Sequence, residues 1–290
     1  MKLLSAILFL IAAQVGVAKS ADYLPVPAKN LVIHSYYTLS YNEAFEQANW
    51  VYYILTDSMV LNAGEERSNN FRIDERVVTG SAKSADYTKS GYDRGHLCPA
   101  GDMGFNPVAM KESFLMSNIS PQAPDFNRGI WKELETTVRG WAKKERKIVI
   151  VTGPVFKDSK GVIGQDEVLV PGYFFKVIYD TTDDPKLIAF VFPNEKSDRP
   201  LTDFAVTADE AEKQTGFDFF SQLPDEIENK LESKVQLAGW FEGYAPEAPL
   251  AEQSRSKEVE AKPDFNFYSV LLAVILVVAL FVYLIGRKKK

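Results

Sequence analysis

The segment GYDRGHLCPAGDM (residues 91–103) holds the side chain best suited to proton transfer. It contains His96, one of two histidines in the chain; the other is His34. Histidine is the side chain whose unperturbed pKa lets it exchange protons near neutral pH. Any general-base or histidine-ligated chemistry must therefore involve His96 or His34.

Arg94 stands two residues before His96 in the sequence DRGH. Side chains alternate between the two faces of a strand, so an extended DRGH places Arg94 and His96 on one face. A neutral histidine can take a proton from an attacking water while guanidinium groups and a metal ion stabilise the charge gathering on a phosphate. The pair suits phosphodiester hydrolysis; a structural histidine hydrogen-bonded in a turn is the alternative.

A second polar group lies in NRGIWKELETTVRGWAKKE, which we expect to form a helix from Asn127. Four apolar residues have the three- and four-residue spacing of one helix face: Ile130, Leu134, Val138 and Trp141. The spacing predicts that this face is buried.

Asn127, Trp131 and Glu135 recur every fourth residue and would share a side of that helix. Asn127 and Glu135 are two turns, about 12 Å, apart along a regular axis, too far for both to ligate one ion directly at about 2.1 Å. One would have to act through water, which fits Mg²⁺, an ion that keeps most of its waters. A solvated helix face with Asn127 as its N-terminal cap is the alternative.

Four segments resemble the DNA/RNA non-specific endonucleases, a family that includes endonuclease G and secreted bacterial sugar-non-specific nucleases. In the family's order and spacing they are FRID (71–74), SADYTKSGYDRGHLCPAGDM (84–103), MSNISPQ (116–122) and FNRGIWKELE (126–135). The later TGFDFFSQLPDEIENKLES is also similar to the segment near the end of that domain. The resemblance covers residues 31–234.

The resemblance implies an α+β fold in which a mixed or antiparallel sheet is flanked by helices. Two strands and a metal-bearing helix would form a ββα-metal active-site element. The implied activity is a Mg²⁺- or Mn²⁺-dependent endonuclease that cleaves DNA and RNA with little sequence specificity. A homodimer is an assembly that the resemblance also suggests.

The resemblance also implies roles for particular residues. His96 would be the general base, Asn127 the direct metal ligand and Glu135 the residue that holds metal-bound water. Asn118 matches the family's second asparagine, which would position His96 or the phosphate.

The family's arginines match Arg94 and, through FRID, Arg72. Arg67 and Arg76 lie nearby and compete with Arg72 for that role. The assignment of Arg72 therefore depends on the FRID match.

The composition and motif content exclude several kinds of binding and catalytic site. The net charge is −6, so no general basic field is available to hold nucleic acid, and local arginines and a metal would be needed. One cysteine, Cys98, excludes an intramolecular disulfide, and two histidines with one cysteine leave no HExxH or CxxC zinc site. The GxSxG turn of many serine hydrolases does not occur.

Both ends of the chain carry apolar segments. Residues 1–18, with a positive Lys2 and small residues at positions 16 and 18, predict a secretory signal, an uncleaved anchor being the alternative. Residues 267–285 are uncharged and would span roughly 28 Å as a helix, with a buried core helix as the alternative. The basic tail 286–290 would lie in the cytoplasm and the rest of the chain outside, periplasmic or extracellular.

Between these ends we expect one domain over residues 30–240, then a flexible linker over 241–265 rich in Pro, Glu, Ala and Lys. β-Branched and aromatic runs predict strands at 50–56, 147–156, 173–180 and 187–193. A Thr207/Glu210 capping box with Gly216 predicts one helix, and Pro224 the start of another.

The sequence therefore predicts a membrane-tethered nuclease. Two other functions remain open at this point: a nucleic-acid-binding receptor on the same fold with little or no catalysis, and a phosphodiesterase for smaller substrates.

Overall fold

The computed structural model describes residues 23–182 and 184–241. The expected signal sequence, the membrane segment at 267–285, the basic tail and nearly all of the linker lie outside these residues. Across the described ranges, none of the helices combines the length and the apolar character that crossing a membrane requires.

A seven-stranded sheet forms the centre of the fold, and all its neighbouring strands are antiparallel. In spatial order its strands are β1 (Leu31–Ile33), β2 (Tyr37–Asn42), β3 (Gln47–Thr56), β6 (Lys147–Val155), β9 (Tyr173–Asp180), β10 (Lys186–Pro193) and β11 (Ala205–Val206). Two further antiparallel pairs are β4 (Asp93–His96) with β5 (Ile119–Gln122), and β7 (Val162–Ile163) with β8 (Val168–Leu169).

The α-helices are α1 (Asp57–Leu61), α2 (Pro107–Ser113), α3 (Pro124–Phe126), α4 (Lys132–Glu145), α5 (Ala208–Thr215) and α6 (Asp225–Glu232). A π-helical turn, Asn127–Trp131, joins α3 to α4. This α+β arrangement of an antiparallel sheet and flanking helices agrees with the expected fold class.

The central sheet is buried on both faces. One face packs against α4, where Trp131, Leu134 and Trp141 share a core with sheet residues such as Phe174 and Ile178. The other face packs against α5, α6 and the segment between them. Because neither face meets water, the central strands are apolar along their whole length, and this is why they could be predicted from apolar runs.

The four predicted strands are confirmed as β3, β6, β9 and β10. The predicted α5 is also confirmed: Thr207 caps it by accepting a hydrogen bond from the Glu210 backbone N–H at 3.0 Å. Gly216 ends it in the left-handed conformation, with φ 77°. Helix α6 begins one residue later than expected, since Pro224 is its N-cap.

The expectation of a regular helix starting at Asn127 is wrong. Helical structure begins at Pro124, whose fixed φ and missing N–H suit a first helical position. The chain then leaves helical geometry at Gly129 (φ −99°, ψ −115°), and regular α-helix resumes at Lys132. Trp131 is therefore buried in the core, whereas Asn127 and Glu135 are partly exposed.

Candidate active site

The DRGH sequence forms the whole of β4, which pairs with β5, and Gly95 lies against a side chain of that partner strand. A Cβ at Gly95 would lie 2.2 Å from side-chain atoms of Gln122, well inside contact distance. Since β5 leads directly into α3 and the π-helical turn, the two strands and the following helix form a ββα element. This element was expected from the family resemblance.

His96, at the end of β4, is 6% exposed and lies between two aromatic rings. Its ring centroid is 5.6 Å from that of Phe71 and 4.7 Å from that of Phe114. Its buried Nε2 has no hydrogen-bond partner among the described residues. Burial, with a smaller effect of the Arg67 charge, lowers the pKa of His96 to about 3. The imidazole is therefore neutral at physiological pH and can accept a proton.

Arg94 lies on the same side of β4 as His96, as its two-residue spacing predicts. Its guanidinium is 5.6 Å from the centroid of Phe71, the ring that His96 also contacts. It donates a hydrogen bond to Thr88 Oγ1 at 3.2 Å and another to the Ser84 carbonyl. These bonds fix a positive charge beside the histidine.

Among the three competing arginines, Arg67 is the one whose charge acts on both His96 and Glu135. Its guanidinium lies 5.3 Å from the centroid of the Phe114 ring. Arg72 instead donates to the Lys111 carbonyl at 3.4 Å, and Arg76 pairs with Glu112 at 3.6 Å. The FRID match therefore points to Arg72, an arginine whose guanidinium donates to the Lys111 carbonyl.

Asn127 is held by an acidic residue of DRGH. Its Nδ2 donates to Asp93 Oδ2 at 2.9 Å, and Arg128 donates to both carboxylate oxygens of Asp93 at 2.8 and 2.6 Å. Burial alone would raise the pKa of Asp93, but the hydrogen bonds from Arg128 and Asn127 outweigh it and lower the pKa. Asn127 has helical backbone angles and is not the N-cap of the following helix. Its Oδ1 accepts no hydrogen bond from any described residue and so can bind a cation.

Glu135 lies in the first turn of α4, near the buried Lys176 and the partly exposed Arg139. Burial raises its pKa to about 7, opposed by the charges of Lys176 and Arg139. Lys176, on β9, is 1% exposed, and its Nζ lies 4.7 Å from the centroid of the Trp131 ring. Near neutral pH the Glu135 carboxyl group would be partly protonated and partly ionised, and a nearby cation would favour the ionised form.

Asp102 completes this buried charge network beneath α4. It is 1% exposed and accepts hydrogen bonds from Tyr53 Oη at 2.9 Å and Arg139 Nη1 at 3.0 Å. The strand that carries Tyr53 and the helix that carries Arg139 are thus joined through one carboxylate. The network fixes the segment after DRGH relative to the helix that bears Glu135.

Asn118 is fully buried, and its side-chain amide is satisfied by the protein. Its Oδ1 accepts from the Cys98 N–H, while its Nδ2 donates to the carbonyls of Cys98 and Ser113, each at 2.9 Å. Both amide hydrogens are therefore used within the fold. The geometry favours a residue that positions the chain just after His96 over one that contacts phosphate.

His34 lies in a separate buried cluster. Its Nε2 is 2.9 Å from Asp74 Oδ2, which also accepts a hydrogen bond from Ser117 Oγ. Cys98 is buried with a free thiol whose pKa is raised by burial. These contacts favour a structural role for both residues.

Sequence reasoning missed three charged residues that shape this site: Asp93 as the holder of Asn127, and Lys176 and Arg139 as neighbours of Glu135. Asp93 is the first residue of DRGH, but no sequence pattern linked it to Asn127. Lys176 could have been noticed, because it is a lysine within the apolar run YFFKVIYD, which forms a strand buried on both faces.

Comparison with known proteins agrees with this geometry. Residues 21–226 match the DNA/RNA non-specific endonuclease family, and the chain belongs to that family. Nuclease C1 of Cunninghamella echinulata var. echinulata is 37% identical over 216 residues, covering 69% of this chain and 86% of that protein. The mitochondrial nuclease of Saccharomyces cerevisiae is 33% identical over 235 residues, covering 73% of this chain and 71% of that protein.

A solved structure is also similar. A chain in the crystal structure of the EndoG/EndoGI complex, which concerns the mechanism of EndoG inhibition, superposes with a TM-score of 0.63. It is 33% identical, and the match covers 68% of this chain and 87% of that one. The protein is accordingly a hydrolase that acts as a non-specific endonuclease.

Proposed function

We propose that this chain hydrolyses phosphodiester bonds of DNA and RNA with neutral His96 as the general base and one divalent cation at Asn127. The observation that carries the proposal is the placement of His96 and Arg94 on one side of β4, whose partner strand β5 leads into the turn that bears Asn127. A general base must rest in its neutral form, and the lowered pKa of His96 keeps the imidazole neutral.

The residues around Asn127 suit Mg²⁺ or Mn²⁺. The amide oxygen of Asn127 and the carboxylate of Glu135 are hard oxygen donors, and Mg²⁺ is commonly held by few protein ligands and several waters. When bound, such a cation neutralises charge on the phosphate and on the leaving oxygen. Asp93 would keep Asn127 oriented toward a bound cation, and Glu135 would hold a water molecule of that cation.

In the proposed reaction, the imidazole of His96 takes a proton from a water molecule as the water oxygen attacks phosphorus. The bond between phosphorus and the leaving sugar oxygen breaks, and that oxygen acquires a proton from solvent. Arg94 and Arg67 stabilise the negative charge that increases on the phosphate oxygens. Arg72 is the weaker candidate for this role because its guanidinium is bonded to Lys111.

Recognition in this scheme is directed at phosphate. Arginine and metal contacts to the backbone carry no base information, so we expect cleavage of DNA and RNA without a strict recognition sequence. Because the chain is acidic overall, affinity should be modest and should fall as salt rises.

Degradation of plasmid DNA and of RNA on gels, with and without a chelator, tests the proposal. Loss of cleavage in chelator and its recovery with Mg²⁺ or Mn²⁺ is the expected result. Binding without cleavage would favour the nucleic-acid receptor, and cleavage of dinucleotides or smaller diesters alone would favour a phosphodiesterase for small substrates.

For location, we propose a single-pass anchored enzyme with an extracytoplasmic nuclease domain. The support is the sequence of residues 1–18, 267–285 and 286–290, all outside the described residues. The homodimer likewise stays a prediction, which the mass of the purified protein in solution would test.

A further inference from the structure

Three carboxylates meet on the sheet face that is opposite α4. Asp209 and Glu212 belong to α5, and Glu232 is the last residue of α6; both helices pack toward β10. One oxygen from each of the three side chains lies within 4.8 Å of the other two. The cluster therefore joins two consecutive helices of the chain.

Glu232 is the unusual member of this cluster. It is 5% exposed, yet its Oε1 has no hydrogen-bond partner among the described residues. No lysine or arginine of the described chain forms an ion pair with any of the three carboxylates. A buried carboxyl group without partner or countercharge is costly, so its position beside two more carboxylates calls for a cation.

Glu212 is already fixed in place for such a role. Its Oε1 accepts a hydrogen bond from the Phe219 backbone N–H at 2.7 Å, which orients the carboxylate and leaves its second oxygen available. Asp209, one turn earlier on α5, is exposed and gives the cluster an opening to solvent. The arrangement thus combines a buried ligand, an oriented ligand and an entry route.

We propose that Asp209, Glu212 and Glu232 bind one Ca²⁺ ion that links α5 to α6. Three carboxylates at one site suit Ca²⁺, which takes six to eight oxygen ligands in flexible geometry, whereas Mg²⁺ is usually bound through one or two carboxylates and keeps several waters. This site is separate from Asn127, which lies with α4 on the other side of the sheet.

The test uses the full chain, freed of metal with EDTA and desalted, and then titrated with CaCl₂ in Mg²⁺-free buffer. Ca²⁺ at 100 times its Kd should raise the Tm by roughly 5–10 °C.

The decisive comparison is Glu232→Gln against Glu226→Gln, an exposed position on the same helix. Glu232→Gln should lose the Ca²⁺-dependent Tm rise and one equivalent of bound Ca²⁺, while Glu226→Gln keeps both. Cleavage of plasmid in saturating Mg²⁺ by both variants would show that the fold and the active site are intact.

If Glu232→Gln fails to fold, Asp209→Asn, at an exposed position, replaces it and must weaken the Ca²⁺ response. An unchanged response in the variant, absence of any Tm rise in the wild type, or an equal rise with Mg²⁺ would each overturn the proposal. A Ca²⁺ response with no nuclease activity would leave this site standing and contradict the proposed function instead.

Discussion

We expect the pKa of His96 to set the acid limit of catalysis. Burial and the Arg67 charge hold that pKa at about 3. A lowered pKa keeps the base neutral until pH falls well below its ordinary value of about 6.5. The burial comes from tertiary packing of the imidazole between Phe71 and Phe114, which no local sequence pattern indicates.

Replacement of Arg67 tests this electrostatic account. Arg67→Ala should raise the pKa of His96 and move the acid limb of kcat to higher pH, and it should also lower kcat because a phosphate-facing charge is lost. Arg72→Ala is the matched control and should leave the acid limb in place. The measurement is kcat against pH at saturating Mg²⁺; identical limbs for wild type and Arg67→Ala would contradict the assignment.

Asp93 provides a test of how the metal is held. Asp93→Asn should increase the Mg²⁺ concentration needed for half-maximal cleavage by about 10–100-fold, because Asn127 loses an ionised partner. Asn127→Ala should weaken the Mg²⁺ response further, while Glu135→Gln should retain some activity because it acts through water. An unaltered Mg²⁺ requirement in Asn127→Ala would place the cation elsewhere.

At the scale of elements, the sequence predicted the strands and helices that depend on local residue patterns. Apolar runs located β3, β6, β9 and β10, and the Thr207 cap located α5. The π-helical turn at Asn127–Trp131 was not predicted. Gly129 interrupts the helix there, but the spacing of the apolar residues continues unchanged across the interruption. The positions of Arg67 near His96 and of Lys176 near Glu135 could not be predicted, because packing between distant parts of the chain brings these residues together.

Gly95 is the element-scale position most sensitive to change. Gly95→Ala should destabilise the protein by about 1–3 kcal/mol and reduce activity, because its Cβ would overlap Gln122 in the paired strand. Gly64→Ala is the control, since the nearest atom to a Cβ there is 4.0 Å away. Urea denaturation measures both, and equal stabilities for the two variants would contradict the close approach.

At the scale of the whole molecule, chemistry and location rest on different parts of the chain. The nuclease fold occupies the described residues, while the proposed signal and anchor lie outside them. Protease added to intact spheroplasts should remove the nuclease domain and leave a short anchored stub, because the basic tail would keep the C-terminus in the cytoplasm. Protection of the domain in intact spheroplasts would refute this topology.

The central claim, that His96 activates the attacking water, is tested most directly by His96→Ala. The variant should lose about 10²–10⁴-fold or more in kcat, because the base is removed. Its affinity for DNA, measured by fluorescence anisotropy in Ca²⁺, should stay near that of the wild type, since phosphate contacts by Arg94 and Arg67 remain. A folded His96→Ala protein that cleaves plasmid at a near-normal rate would contradict the account.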